Sequence, residues 1–195
     1  MNLNLAHYLI GTRAVGPGFR ASLWTQGCKL NCPGCIAPDW QPFIRAMEIN
    51  PQQLAEQILA NAAITGVTLS GGEPMEQAPA LKIFLQTILK VKSIDVICFT
   101  GYRLEALLKR PPSPEAVELL DTIDVLIDGP YDPTLPVQEG LRGSSNQRFH
   151  YLGSKLAPGS LETWRRSLEV TITPNHLSFS GIPLPGMVVP HLSGH

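Results

Sequence analysis

The chain has 195 residues, 44% of them hydrophobic, with 15 basic and 16 acidic side chains and a net charge of −1. This is length enough for one domain, or one domain with a small appendage, and too little for a complete eight-unit barrel of about 250 residues. The near-neutral charge gives no electrostatic reason to expect nucleic acid or an anionic membrane as a partner, and no stretch is long and apolar enough to span a bilayer.

In chain order the pattern alternates strands and helices. Phe19 to Thr25 places Phe19, Ala21 and Leu23 on one face and predicts a strand. Asn50-Pro51 is an N-cap followed by proline at the first helical position, and Leu54, Ile58 and Leu59 continue at helical spacing. Gly66 to Leu69 reads as a short buried strand. Ala78 to Val91 reads as a helix with Leu81, Phe84, Leu85 and Ile88 on one face, and Ile94 to Phe99 as the next strand. Leu104 to Lys109 and Pro114 to Leu120 are predicted helices, separated by the stiff connector Arg110 to Pro114, and Ile123 to Ile127 is a predicted strand. Strands separated by helices imply parallel pairing with right-handed crossovers. Further on, Leu168 to Thr173 and Leu177 to Ser180 predict a hairpin connected through Thr173 to His176. The division expected is a core over residues 1–155 and an extension over residues 156–195, with His191 and His195 in a loose tail.

Each unusual sequence follows the end of a predicted strand. A cysteine-rich stretch follows Thr25, Gly71-Gly72-Glu73-Pro74 follows Leu69, Thr100-Gly101-Tyr102 follows Phe99, and Asp128-Gly129-Pro130-Tyr131 follows Ile127. Sites in parallel α/β sheets form at the carboxyl ends of the strands, so these four loops define one expected active-site rim.

The cysteine stretch is Cys28-Lys29-Leu30-Asn31-Cys32-Pro33-Gly34-Cys35. Three thiols so spaced can converge on one iron–sulfur cluster, and three thiolates on a four-iron cubane leave one iron without a protein ligand. Structural zinc is the alternative, though such sites usually pair their ligands as two knuckles. A four-thiolate electron carrier would need Cys98, which sits in the apolar run Ile94 to Phe99 and reads as a core residue. The N-terminus lacks the pattern of a secretory leader, so a reducing cytoplasm is the expected compartment and a disulfide framework is not expected.

The cysteine spacing resembles the C-x3-C-x2-C signature of the radical S-adenosylmethionine (radical SAM) enzymes, with Gly71-Gly72-Glu73-Pro74 standing as that group's second motif. Val15-Gly16-Pro17-Gly18-Phe19-Arg20 is similar to the lead-in of glycyl-radical-enzyme activases. Cys32-Pro33-Gly34-Cys35 with Pro38 and Trp40, Thr100-Gly101-Tyr102, Asp128-Gly129-Pro130-Tyr131 and Arg142-Gly143-Ser144-Ser145-Asn146-Gln147-Arg148 resemble the activating proteins of anaerobic ribonucleotide reductases. The resemblance covers roughly residues 5–152. Ile36-Ala37 and Val15 depart from the residues usual at those positions, and the loop Asp132 to Gly140 lies outside the match.

This resemblance implies an incomplete (β/α) barrel of five or six strands that binds a [4Fe-4S] cluster through Cys28, Cys32 and Cys35. It implies SAM contacts from Gly34, Cys35, Ile36, Gly71, Gly72, Glu73 and Asp128. The activity implied is reductive cleavage of SAM to a radical that abstracts hydrogen from a glycine of a partner, the anaerobic ribonucleoside-triphosphate reductase first among candidates, with flavodoxin or ferredoxin as electron donor. A radical SAM enzyme acting on a peptide or small metabolite, and a non-catalytic electron-transfer module, are the other readings. Gly71 and Gly72 are expected to let the backbone approach the methionine part of SAM, and Glu73 to accept hydrogen bonds from its ammonium. Asp128 is read either as a ligand contact or as a generic turn residue. Arg142 and Arg148 have two readings as well, a ligand or partner grip or loop salt bridges. Tyr102 and Tyr131 flank the adenine or cap the core, and Lys29 either raises the cluster's reduction potential by its charge or is simply solvated, the second being the reading preferred. His7, His150 and His176 have no mutual spacing that suggests a metal site.

Overall fold

The computed structural model describes residues 1–173 and 176–183. Among the described residues, nine strands and four helices follow in chain order. They are β1 (Leu3–Thr12), β2 (Arg20–Thr25), β3 (Met47–Ile49), α1 (Pro51–Leu59), β4 (Gly66–Gly71), α2 (Ala78–Leu89), β5 (Asp95–Thr100), α3 (Leu104–Lys109), α4 (Pro114–Leu120), β6 (Val125–Asp128), β7 (Arg148–Tyr151), β8 (Leu168–Thr173) and β9 (His176–Gly181). Single 3₁₀ turns occupy Pro38–Trp40 and Pro74–Gln77.

Seven strands form one sheet in the order β3-β1-β2-β4-β5-β6-β7. Its centre, β2-β4-β5-β6, is parallel as expected, and β1 with β3 on one side and β7 on the other add antiparallel borders. Thr25 pairs with Gly71, Leu69 with Cys98, and Thr100 with Asp128, so the four parallel strands end level with one another. The loops that follow therefore open on one edge.

Strand alternation sorts the sheet into two faces. Ala21, Leu23, Val67, Leu69, Val96, Cys98 and Leu126 point to the helices, where they pack with Leu54, Ile58, Leu81, Phe84, Leu85 and Leu119. Cys98 is fully buried there, and burial pushes its thiol well above the ordinary range. The other face carries no helix among the described residues. Ile97, Val125 and Ile127 there pack with Leu141 and Leu161, and Trp164 and Ile182 join them. The segment after residue 155 thus continues the packing of the main sheet before it reaches the hairpin.

Helix starts follow the sequence. The Asn50 side chain accepts hydrogen bonds from Gln52 N at 2.9 Å and Gln53 N at 3.2 Å, with Pro51 beginning α1. The hairpin β8–β9 forms a separate two-stranded sheet, in which Thr173 pairs with His176. Pro174 and Asn175 of the expected connection, and the tail with His191 and His195, lie outside the described residues. No helix among the described residues is long and apolar enough to cross a membrane.

Candidate functional site

The sheet order alone puts the four odd loops side by side, and backbone contacts lock them. Gly72 N donates to Thr25 O at 2.7 Å and Glu73 N to Gly27 O at 2.9 Å. Gly27 N donates to Trp40 O at 2.8 Å and Cys28 N to Gln41 O at 2.9 Å, which pins both ends of the cysteine loop. The glycines are explained by this crossing. A Cβ on Gly71 would stand 2.3 Å from Thr25 N, and one on Gly72 would stand 2.5 Å from Gly27 O and 2.7 Å from Trp40 O. The atoms that leave no room for a Cβ at either glycine belong to the chain's own backbone.

The remaining loops close on the cysteine loop from the other side. Leu30 packs against Gly101, where a Cβ would lie 2.3 Å from its Cδ1 atom, and Gly34 lies against Pro133. Lys29 is exposed, as read, and pairs at the surface with Glu76 at 2.6 Å, and Tyr102 donates its hydroxyl to the same carboxylate at 2.6 Å. Tyr102 thus ties the third loop to the second. Burial and this carboxylate raise the Tyr102 phenol well above its usual value. Tyr131 packs its ring against Gly143.

Glu73 is 1% exposed. Its Oε1 accepts from Met75 N at 3.0 Å and Thr100 Oγ1 at 2.8 Å, and its Oε2 accepts from Gly101 N at 2.9 Å. Burial pushes this carboxyl up to about 7 against the opposing pull of those donors. Its donors within the chain are Thr100, Gly101 and Met75, and through them it joins the second and third loops.

Asp128 is likewise held by partners within the chain. It lies on the helix face of β6, beside Leu126 in alternation, and is 0% exposed. Its Oδ2 accepts from Leu104 N at 2.7 Å at the start of α3, Arg148 Nε donates to its Oδ1 at 2.9 Å, and His150 Nε2 stands 3.1 Å away. Burial opposes ionisation, yet Arg148, the Leu104 amide and His150 hold the carboxyl below its ordinary range. Arg148 also grips Glu105 with two bonds at 2.9 and 2.8 Å. The salt-bridge reading of Arg148 is the one observed. Around it, the stretch Gly143 to Gln147 fastens the loop after β6. Gln147 Nε2 donates to Gly129 O at 3.1 Å, its Oε1 accepts from Gly143 N at 2.8 Å, and Asn146 Nδ2 donates to Pro130 O at 2.8 Å. Arg142 closes the same stretch by donating to Gln147 O at 3.0 Å, with its guanidinium over the Phe149 ring.

Cys28, Cys32 and Cys35 are free and partly exposed in the middle of this rim. Cys35 N donates to Cys32 O at 3.2 Å, and the turn uses left-handed backbone at Asn31 (φ 47°) and Gly34 (φ 66°). Burial raises the thiols of Cys28 and Cys32, while amides of Leu30 and Asn31 point at the first sulfur and that of Tyr131 at the second. Thiolates with amide donors aimed at sulfur are the surroundings an iron–sulfur cluster requires. No three Cys, His, Asp or Glu side chains among the described residues meet tightly enough for a single metal ion. A cubane seats each thiolate on its own iron, so its ligands need not meet at one point. Ile36, next along, is exposed.

Sequence reasoning missed Gln26, Gln77 and Glu76. Gln77 bridges β1 and the rim through Asn4 O at 2.7 Å and Gln26 O at 2.9 Å, and Gln26 Nε2 holds Pro42 O at 2.8 Å. Their one signal is position, directly beside Gly27-Cys28 and three to four residues beyond Glu73.

Residues 14–150 match the family described as a 4Fe-4S single cluster domain. The chain is 33% identical over 157 residues to an anaerobic ribonucleoside-triphosphate reductase-activating protein of Escherichia coli, across 70% of this chain and 91% of that protein. A like-named protein of Vibrio cholerae is 35% identical over 150 residues, across 69% of this chain and 89% of its own. A pyruvate formate-lyase-activating enzyme of Staphylococcus aureus is 41% identical over 78 residues, 36% of this chain and 31% of that one.

Proposed function

The chain belongs to the radical SAM activases of glycyl radical enzymes, and from that premise we propose that it serves an anaerobic ribonucleoside-triphosphate reductase. It is an oxidoreductase that uses a [4Fe-4S] cluster and SAM, and its substrate is a glycine of a partner protein. Cys28, Cys32 and Cys35 would hold the cluster at the rim, where it would supply the electron for reductive cleavage of SAM to methionine and the radical that takes the glycine hydrogen. The choice of the reductase as partner rests on the names of relatives that this chain covers nearly end to end.

The chain's own residues have distinct tasks in this scheme. Cys28, Cys32 and Cys35 would hold the cluster, and Gly34 and Ile36 are the residues on either side of Cys35 assigned to SAM. The Gly71-Gly72 backbone, bonded to Thr25 and packed on Gly27, would seat the cysteine loop beside the methionine part of SAM. Glu73 acts as a positioning residue, since its carboxylate fixes the second loop to Thr100 and Gly101. Asp128 positions the fourth loop through Leu104 and Arg148. The one-sided helices support reading the sheet as an incomplete (β/α) barrel, with residues 1–155 carrying the reaction and residues 156–195 an extension. The electron donor in this account is a reduced flavodoxin or ferredoxin, and the compartment is the reducing cytoplasm.

The observation that carries the proposal is the backbone-to-backbone seating of the three-cysteine loop on Gly71 to Glu73. Its test is electron paramagnetic resonance of the reductase after anaerobic incubation with this protein, SAM and a reductant. A glycyl radical on the reductase is expected. Formation of 5′-deoxyadenosine with no radical on that enzyme, but with one on another glycyl radical enzyme, would reassign the partner.

A further inference from the structure

Phe43, Ile44 and Met47 are 62%, 57% and 41% exposed, although they follow the cysteine loop directly. Their backbone is not loose. Asn4 Nδ2 donates to Ile44 O at 2.8 Å, Ala46 N donates to Asn4 Oδ1 at 2.9 Å, and Gln26 holds Pro42 O. The Phe43 ring lies on Gly27, the residue before Cys28, where a Cβ would come within 2.7 Å of it. Met47 begins β3, which is the border strand of the sheet and pairs only with β1 among the described residues. Leu5 of β1 pairs with both Met47 and Thr25, so this border stands at the rim end of the sheet.

We propose that the Phe43–Ile44 surface and the free edge of β3 form the docking site for an extended segment of the partner enzyme that flanks its target glycine. This rests on the activase reading above. Hydrogen abstraction requires a polypeptide to lie at the cysteine loop, and the surface is continuous with that loop through Phe43 and Gly27. Exposed apolar side chains on a pinned backbone, beside an unpaired strand edge, suit an extended peptide, which gains main-chain hydrogen bonds from the edge and side-chain burial from the patch. An electron donor also approaches the rim, but redox encounters are small and transient. An apolar anchor with a pairing edge fits a substrate segment better.

The test uses Ile44→Glu and Met47→Glu, which change exposed side chains and leave Phe43 on Gly27. The 5′-deoxyadenosine formed with dithionite, and the glycyl radical formed on the anaerobic ribonucleoside-triphosphate reductase, are measured side by side. Deoxyadenosine within twofold of wild type is expected, with radical yield at limiting partner reduced about tenfold, the loss of an interface anchor, and restored at high partner concentration. Wild-type radical yield in both variants would overturn the proposal. So would a defect seen only with flavodoxin as reductant, which would assign the surface to the donor. If the wild-type chain itself placed no radical on any glycyl radical enzyme, the activase reading would fall, and the docking proposal with it.

Discussion

Glu73→Gln separates a carboxylate that positions the rim from one that binds the ligand. In the folded chain Glu73 accepts three bonds of 2.8 to 3.0 Å from Met75, Thr100 and Gly101 while its carboxyl is pushed up to about 7 by burial. A glutamine oxygen in the Oε1 position keeps Met75 and Thr100, but its amide group then faces Gly101 N, at a cost of about 1–3 kcal/mol for the unsatisfied donor. The wild-type side chain carries the opposite burden, ionisation in a buried place. Its folded value stands above the ordinary 4.5, so the folded state binds more protons than the unfolded one between the two values. Stability from this group is therefore present at low pH and lost as pH rises toward 7, by about 2 kcal/mol between pH 5.5 and 8. Anaerobic urea unfolding at both pH values should show this fall in wild type and its absence in Glu73→Gln. SAM affinity should drop less than tenfold, because the chain and not the ligand supplies the donors. Equal pH slopes in the two proteins, together with a loss of SAM affinity above tenfold, would refute the reasoning and return the carboxylate to the ligand.

Three further outcomes are expected. Arg20 is fully buried, pairs with Asp95 at 2.6 Å and donates to Thr68 Oγ1 and Val67 O at 2.7 Å each; Arg20→Ala should cost about 3–5 kcal/mol and lower the melting temperature by roughly 10 °C. Gly72→Ala drives a methyl group into Gly27 O and Trp40 O, so anaerobic reconstitution should give markedly less iron than wild type, as read by iron and sulfide analysis. Arg148→Ala unties Asp128 and Glu105 at once, and should depress deoxyadenosine formation and partner radical together, with a lower melting temperature; loss of the radical alone would place Arg148 at the partner surface instead.

The helices and the parallel centre were legible because each carried local chemistry. Asn50-Pro51 caps α1, and the Leu81, Phe84, Leu85 and Ile88 stripe buries α2 as its spacing implies. The level ends of β2, β4, β5 and β6 follow from four odd loops in a βα pattern. The antiparallel borders were not seen. Leu3 and Leu5 of β1 alternate with exposed or half-buried residues, but no turn signal marks the strand, and β3 is three residues long with no buried side chain. β7 was hidden in a string valued for its resemblance, although Arg148 to Tyr151 pairs residue by residue with β6. Asp128 offered a missed lesson. Leu126 faces the helices, so alternation turns Asp128 the same way, beneath the rim rather than over it. The reason for Gly71 and Gly72 was not readable at all, since their neighbours Thr25, Gly27 and Trp40 meet them only after the sheet has formed.

The most direct test of the central claim is the amount of 5′-deoxyadenosine formed per cluster when the anaerobically reconstituted protein is reduced in the presence of SAM. Wild type should bind about four irons per chain and form deoxyadenosine, and Cys32→Ala should lose both, whereas Cys98→Ala keeps both because Cys98 lies in the helix-side core. Deoxyadenosine production that survived Cys32→Ala, or its absence from wild type with a full cluster, would contradict the account.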